Sequence, residues 1–540
     1  MGTDAERESG FDTDAGLRFA ALKGKLFAAV LAGSTLVGIV ALLVLFGYIA
    51  NDAFRPTTAS LQWYLVYFTT LVGPTAAFTL YARRNPEVRA VNAKSYAVVF
   101  GGLLMALITY AVLDAVSPYD VAVYALVGGI PPLIVYAYEG MTGDRTYTGP
   151  AYPALVVLGL AIAAVLYGVV RPLVGILASW IVYYTLVTIP IATGLSVLAT
   201  RRLGSRSGRL TAGTVGGGTV LVAVGALALG YAPAFPVVFA SLFVAPVGYV
   251  VVETVRSNPE GRVGLAGPFV LVGGALLGAA IVGRFSVQSP ETFLTPTLLV
   301  ESWDGLTASN AGVYPQIVGS IVIVAFMMVL AFPLGIGAAI YLEEYAPNTG
   351  LRGRLATILE VNIANLAGVP SVVYGLLGLA LFRNTLGFGT GIVVSASGTL
   401  GLLILPILVV STQEALRSVP DARREAAYGM GASRWQTIRT VVLPEAIPGT
   451  LTGTILSLAR AIGETAPLVI IAVATTTYTP PHGLFSSATA LPLQIFAARS
   501  SALPEFRHGV VPAAAVVLLV LMLLMNATAI LIRNRYQRND

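Results

Sequence analysis

The sequence contains no cysteine and only two histidines, His482 and His508, among 540 residues. Disulfides, zinc–thiolate sites and thiol nucleophiles are therefore excluded. Both histidines fall in one late polar stretch, which leaves no histidine cluster for metal binding or acid–base chemistry. Lysine is almost absent as well: Lys23, Lys25 and Lys94 are the whole complement. None follows glycine in the Gly-Lys-Ser/Thr context of a nucleotide-binding P-loop, so this chain is not itself a P-loop ATPase. Charge of either sign is scarce, at 11% of residues, against about 25% in a soluble domain. A water-exposed surface of ordinary size cannot be built from so few charges.

Apolar residues are abundant instead: 56% of the chain is hydrophobic and the mean hydropathy is +0.81. Lipid must solvate most of the outer surface, and in lipid only helices and closed barrels satisfy their own backbone. Barrel strands alternate over about ten residues, whereas these apolar runs are long enough to cross ~30 Å as helices. The expected fold is an all-α polytopic membrane protein of about fourteen spans. They begin near Leu26, Leu61, Tyr96, Val121, Ala151, Leu173, Thr211, Ala234, Gly264, Tyr314, Leu355, Thr399, Gly449 and Val511. Met1 to Gly16 is polar and acidic, and no cleavable signal peptide is evident. The net charge of +6 does not point to nucleic acid, because the basic residues sit in short loops between apolar runs. Counted on alternate sides, 25 of the 32 lysines and arginines fall on one side and 6 on the other, with Arg460 inside a span. That asymmetry predicts a multi-pass plasma-membrane protein with both termini cytoplasmic.

The chain divides near Pro259. Residues 1–262 hold about eight spans joined by short loops, with no recognisable motif. Residues 263–540 hold about six spans with longer loops. No convincing internal repeat relates the two halves.

The most informative stretch is the loop 413–448, between the twelfth and thirteenth spans. Pro420 suits the first turn of a helix. Gly431 suits its end, where a left-handed residue is favoured. Ser433, with Gln436 three positions on, makes a capping box for a second short helix. The expected shape is a helix–turn–helix hairpin on the cytoplasmic face, with Ala426 and Ala427 small enough for another surface to approach closely. An ordinary amphipathic connector has the same outline. The spacing is more specific. Glu425-Ala426-Ala427, Gly431 six residues after the glutamate, and Leu443-Pro444 twelve residues after that glycine resemble the EAA loop of ABC importer permeases. The resemblance implies a coupling helix docked in a groove of an ATPase subunit, with Glu425 making polar contacts and Gly431 the turn. ATP and Mg would be bound by that partner, and this chain would hold no cofactor.

The thirteenth span carries Arg460 and Glu464, four apart and so on one helix face. Intramembrane charge is a functional candidate by default, and the guanidinium fork suits phosphate oxygens. A structural intrahelical ion pair and a pairing with a sister subunit are the alternatives. The run Arg460-Ala461-Ile462-Gly463-Glu464-Thr465-Ala466-Pro467 resembles the Arg-x-x-Gly-Glu-Thr stretch of phosphate ABC transporter permeases of the PstA/PstC type. Pro333 to Ala346 and Gly368 to Gly375 also look like PstA. The resemblance covers roughly residues 264–535. It implies a six-span core of the type-1 importer class, with Arg460, Glu464 and Thr465 near the translocation pathway. It also implies three partners: a PstC-type sister permease, a pair of PstB-type ATP-binding subunits and an extracytoplasmic PstS-type phosphate-binding protein. The eight preceding spans depart from the family. Either the run from Leu26 is the family's first helix and residues 51–262 are an insertion, or the whole region is an accessory domain.

Other residues support weaker readings. Glu343 and Glu344, near Arg352 and Arg354, read as a solvated charge cluster. Glu360, Asn362 and Asn365 suit interfacial solvation or interhelical hydrogen bonds. Pro370-Ser371 would interrupt its helix. Residues 478–509 suit either a surface for a solute-binding protein or an unstructured connector. Competing functions are a permease for another oxyanion, such as molybdate or sulfate, and an ion-coupled secondary transporter. The latter needs inverted repeats and intramembrane acids, for which only Glu464 qualifies.

Overall fold

The computed structural model describes residues 5–142, 151–347 and 349–537. No strand occurs among them; two isolated bridges, Ile392 with Ser487 and Ala474 with Thr489, are the only β pairing described. Twelve described helices are long and apolar enough to cross a membrane, thirteen if one bent pair counts as a span. In chain order they and their companions are α1 (Leu22–Phe54), α2 (Leu61–Arg84) and α3 (Pro86–Val116). Then come α4 (Pro118–Thr142) and α5 (Ala151–Gly175). Next are α6 (Ser179–Leu203), α7 (Ser205–Ala228), α8 (Ala234–Ser257), α9 (Arg262–Arg284) and α10 (Tyr314–Tyr345). The bent pair is α11 (Gly350–Ala367) and α12 (Ser371–Thr385), followed by α13 (Val393–Arg417). The hairpin helix is α14 (Asp421–Gly429). The remainder are α15 (Arg434–Gly463), α16 (Ala466–Ile470), α17 (Leu491–Ala498) and α18 (Phe506–Ala527). The fourteen expected apolar segments all coincide with helix, although the sixth starts at Ser179 rather than near Leu173. Of the basic residues used for orientation, Arg145 and Arg538 lie outside the described residues.

Burial identifies α13 as the central helix: 72% of its apolar window is covered. It packs on α10 and α15, and α15 packs in turn on α18. Met327 of α10, Leu400 and Ile404 of α13, and Ala461 and Ile462 of α15 share one core cluster. Gly335 of α10 lies against the Leu408 side chain, the close approach that small residues permit where no hydrophobic drive separates helix from lipid. Residues 478–509 are not an unstructured connector. They contain α17, whose Leu491, Leu493 and Gln494 are buried, and Gln494 Oε1 accepts a bond from Gln316 Nε2 at 3.2 Å.

Packing in the first half has an unexpected layout. The end of α1 lies on α18, and Ala53 is fully buried beside Leu298, Trp303 and Phe506. Helix α9 packs instead on α2 and α3. The segments that leave α1 and return from α9 are stitched together. Ser60 N donates to the Gln288 carbonyl at 3.2 Å. Gln288 Nε2 donates to the Thr58 carbonyl at 3.1 Å, and Glu291 N to Thr58 Oγ1 at 2.9 Å. Between these ends, α3 leans on α10, with Ala111 and Ala115 in the core cluster.

By sequence those eight helices fall into four successive helix–loop–helix hairpins that carry one spacing; the second and third pack on themselves, whereas α2 packs on α9 and α3 on α8. An aromatic residue (Tyr67, Tyr124, Tyr183, Phe239) stands seven positions before a proline (Pro74, Pro131, Pro190, Pro246). A glycine (Gly102, Gly159, Gly218, Gly274) stands twenty-eight positions after that proline. In three hairpins the proline follows a π-helical turn: Phe68–Val72, Tyr184–Thr188 and Ala240–Val244. Proline lacks an N–H and crowds the carbonyl four residues back, so an extra residue is accommodated there. The first and fourth hairpins exchange contacts: Gly102 sits against the Leu242 carbonyl, and Gly274 against that of Thr70, its counterpart.

Candidate functional site

The hairpin forms as its local chemistry dictates. Asp421–Gly429 is helical with Pro420 one position earlier, at the N-cap rather than in the first turn. Gly431 adopts φ +87°. Its N–H donates to the Tyr428 carbonyl at 2.9 Å, and Ala432 N donates to Ala427 O at 3.1 Å; this is the paired closure of a Schellman end. Ser433 Oγ accepts from Gln436 N at 3.3 Å, and Gln436 Oε1 accepts from Ser433 N at 2.8 Å, completing the expected capping box. The second helix is not a separate short piece. It runs through a π-helical turn, Ile438–Val442, straight into the span that ends at Gly463. Leu443 and Pro444 begin the regular part of α15 after that turn.

Ala427 is buried against the span ends, while Glu425, Ala426, Tyr428 and Met430 are exposed. Glu425 has no hydrogen-bond or ion-pair partner among the described residues. α14 thus keeps one face for this chain and presents the other outward.

Sequence reasoning missed what fixes α14 in place. Arg424 Nη2 lies 3.0 Å from Glu344 Oε1, with side chains only 15% and 8% exposed. Its guanidinium also donates to the Leu416 carbonyl at 2.8 Å, the Val419 carbonyl at 2.6 Å and Asp421 Oδ1 at 3.1 Å. It therefore caps the carbonyl end of α13 and binds the end of α10 simultaneously. Arg423 Nη1 reaches Glu445 Oε1 of α15 at 2.7 Å. Arg417 Nε bonds both Glu343 oxygens, at 3.0 and 2.8 Å. Glu343 and Glu344 are thus not a solvated cluster with Arg352 and Arg354. The available signal was the arginine pair immediately before Glu425.

The second region joins two broken helices. α11 and α12 meet at 112°, across Gly368-Val369-Pro370, where proline disfavours helical backbone at the preceding residue. The Tyr374 hydroxyl donates to the Leu366 carbonyl at 2.7 Å, which also accepts from Val369 N at 3.0 Å. Gly375 of α12 abuts Pro467 and Ile470 of α16, so this break lies beside the one between α15 and α16. Arg460 occupies the last turn of α15. Glu464 is not on that helix: it is the first residue past its end, with extended backbone (φ −72°, ψ 124°). The two still meet, Arg460 Nε donating to Glu464 Oε1 at 3.1 Å, with side chains 41% and 15% exposed. Thr465 begins α16 without capping it through its side chain. A partly exposed guanidinium, oriented by a carboxylate at a double helix break, can exchange that carboxylate for another oxyanion.

Residues 331–538 match the family described as binding-protein-dependent transport system inner membrane component. A probable ABC transporter permease protein, YqgI of Bacillus subtilis (strain 168), is 32% identical over 47% of this chain and 89% of its own length. The phosphate transport system permease protein PstC of Mesorhizobium japonicum is 30% identical over 47% of this chain and 83% of its own. PstA 1 of Mycobacterium tuberculosis (strain CDC 1551 / Oshkosh) reaches 42% identity over 30% of this chain, which spans about half of that relative's length (51%).

Proposed function

This chain belongs to the permease family of binding-protein-dependent ABC importers, and from that premise we propose that it carries inorganic phosphate across the plasma membrane. The observation that carries the reading is the junction of two helix breaks at Arg460, a cation held by Glu464 at 3.1 Å and left 41% exposed. Relatives named as phosphate permeases support the cargo. α14 faces the cytoplasm and docks its exposed residues, Glu425 and Ala426 foremost, on a PstB-type ATPase pair. Leu443 and Pro444 carry the movement along α15. A PstC-type sister permease completes the pathway, and a PstS-type protein delivers phosphate to the opposite face. ATP and Mg are bound by the ATPase pair.

The transport core in this reading is α1 together with the residues from about 286 onward, and α2–α9 are an insertion between them. The contacts of Ala53 with the core and the stitching of residues 58–60 to 288–291 support that division.

The test is ATP-dependent uptake by the reconstituted four-component complex. Phosphate uptake should be lost in Arg460→Gln while nucleotide binding by the complex persists. Uptake of sulfate or molybdate in place of phosphate would overturn the cargo, and undiminished uptake in Arg460→Gln would remove that residue from the path. Joining Ser60 to Gln288 without the intervening residues should leave uptake intact; a folded, assembled complex that no longer transports would refute the insertion.

A further inference from the structure

The four hairpins differ at one equivalent position. A methyl group added at Gly102, Gly159 or Gly274 would strike a backbone carbonyl, that of Leu242, Gly128 or Thr70. At Gly218 it would meet nothing within 4 Å. The space left there is part of a groove of about 580 Å³ between α7 and α8. Its walls are apolar or small, with Gly218 and Val222 on one side and Val244, Gly248 and Val252 on the other.

One end of the groove is basic. Arg256 lines it and donates to Ser207 Oγ at 3.3 Å. Arg206 adjoins Ser207 in the first turn of α7, a turn with no acidic residue, although that end of a helix carries partial positive charge and favours anions. Neither Arg206 nor Arg256 has an acidic partner among the described residues. Glu253 is already engaged by Lys94 at 2.5 Å and by Arg202. The Tyr249 hydroxyl, in a residue that lines the same groove, is buried with no hydrogen-bond partner among the described residues.

The basic end lies on the hairpin face of the molecule. Ala111 and Ala115, late in α3, cluster with Val318 and Val322, early in α10, so those helices are antiparallel. α10 ends against the hairpin at Glu344, hence α3 begins on that face. Lys94, early in α3, meets Glu253 near the end of α8.

We propose that this groove binds an anionic phospholipid of the leaflet on the hairpin face. The acyl chain lies along Gly218 and Val244, and the phosphate head lies between Arg206 and Arg256. An acyl chain matches the apolar walls, and an anionic head offsets the uncompensated charge at the helix end; basic pockets between spans on this side recruit acidic headgroups.

The experiment is native mass spectrometry of the full chain titrated with phosphatidylglycerol or phosphatidylcholine. Phosphatidylglycerol should bind in preference. The double variant Arg206→Gln/Arg256→Gln should weaken it by on the order of tenfold and leave phosphatidylcholine unaffected. Gly218→Leu, which fills the groove, should reduce binding of the acyl chain itself; if that variant fails to fold, the arginine pair alone decides. Equal binding of both lipids, or full retention of phosphatidylglycerol by the arginine variant, would overturn the proposal. Displacement by millimolar inorganic phosphate would also overturn it, by assigning the basic end to a free anion. None of these outcomes depends on the transport cargo.

Discussion

Replacing Glu344 with alanine probes how the α14 hairpin is held. The Glu344 carboxylate is 8% exposed and sits 3.0 Å from Arg424. Removing one partner of a buried pair costs about 3–5 kcal/mol, because the remaining charge stays desolvated. Arg424 keeps Asp421 at 3.1 Å and the carbonyls of Leu416 and Val419. The loss should therefore fall near the lower bound, about 3 kcal/mol. At ~1.4 kcal/mol per decade, that is about a hundredfold in the opening equilibrium of the hairpin. Amide hydrogen exchange reads this directly. Amides of 426–432 should exchange about a hundredfold faster, while those of 400–408, inside α13, keep their protection. If α14 couples the proposed ATPase to transport, hydrolysis in the assembled importer should continue as uptake falls. A cycle with Arg424→Met should give a coupling of roughly 1–3 kcal/mol. Unchanged exchange across 426–432 in folded Glu344→Ala, or strictly additive single variants, would refute the reasoning.

Three further outcomes are expected. Gly431→Ala has open space but φ +87°, so the hairpin should lose about 1–2 kcal/mol, whereas helical Gly429→Ala should be neutral or gain up to about 1 kcal/mol; local hydrogen exchange separates the two. Ala426→Trp, on the exposed face of α14, should abolish co-purification of the ATPase subunit without lowering the melting temperature, and undisturbed co-purification would move the docking surface elsewhere. Gly274→Ala overlaps the Thr70 carbonyl and should cost about 1–3 kcal/mol, while Gly218→Ala should not destabilise; equal melting temperatures would contradict the reciprocal packing of the first and fourth hairpins.

What the sequence disclosed follows the range of the forces involved. Hydropathy located every apolar segment, because lipid acts on each stretch of twenty residues by itself. The turn at Gly431 and the capping box at Ser433 and Gln436 were equally legible, since both depend on neighbours within six positions. The pairing of Arg424 with Glu344 was not, because eighty residues separate them and each has nearer charged neighbours that offer a plausible partner. Glu464 was misplaced by one residue: spacing of four implies a shared helix face only while the helix continues, and Gly463 ends it. The hairpin repeat was hidden because it survives in three positions out of more than fifty, and its meaning is carried by backbone carbonyls that have no sequence signature. The partner of α1 was illegible for a related reason, as its exposed surface bears no pattern until the distant Phe506 region covers Ala53.

In the division proposed above, the meeting of Thr58 and Ser60 with Gln288 and Glu291 has a consequence for how such a protein arises. A membrane unit whose entry and exit emerge side by side imposes almost no displacement on the chain that receives it. The host experiences it as a lengthened surface loop, and its own helices need not move apart. An even number of crossings returns the chain to the side it left, so the sidedness of everything downstream is preserved. Such a cassette is portable between hosts, its sequence held by the receiving chain only where α3 meets α10.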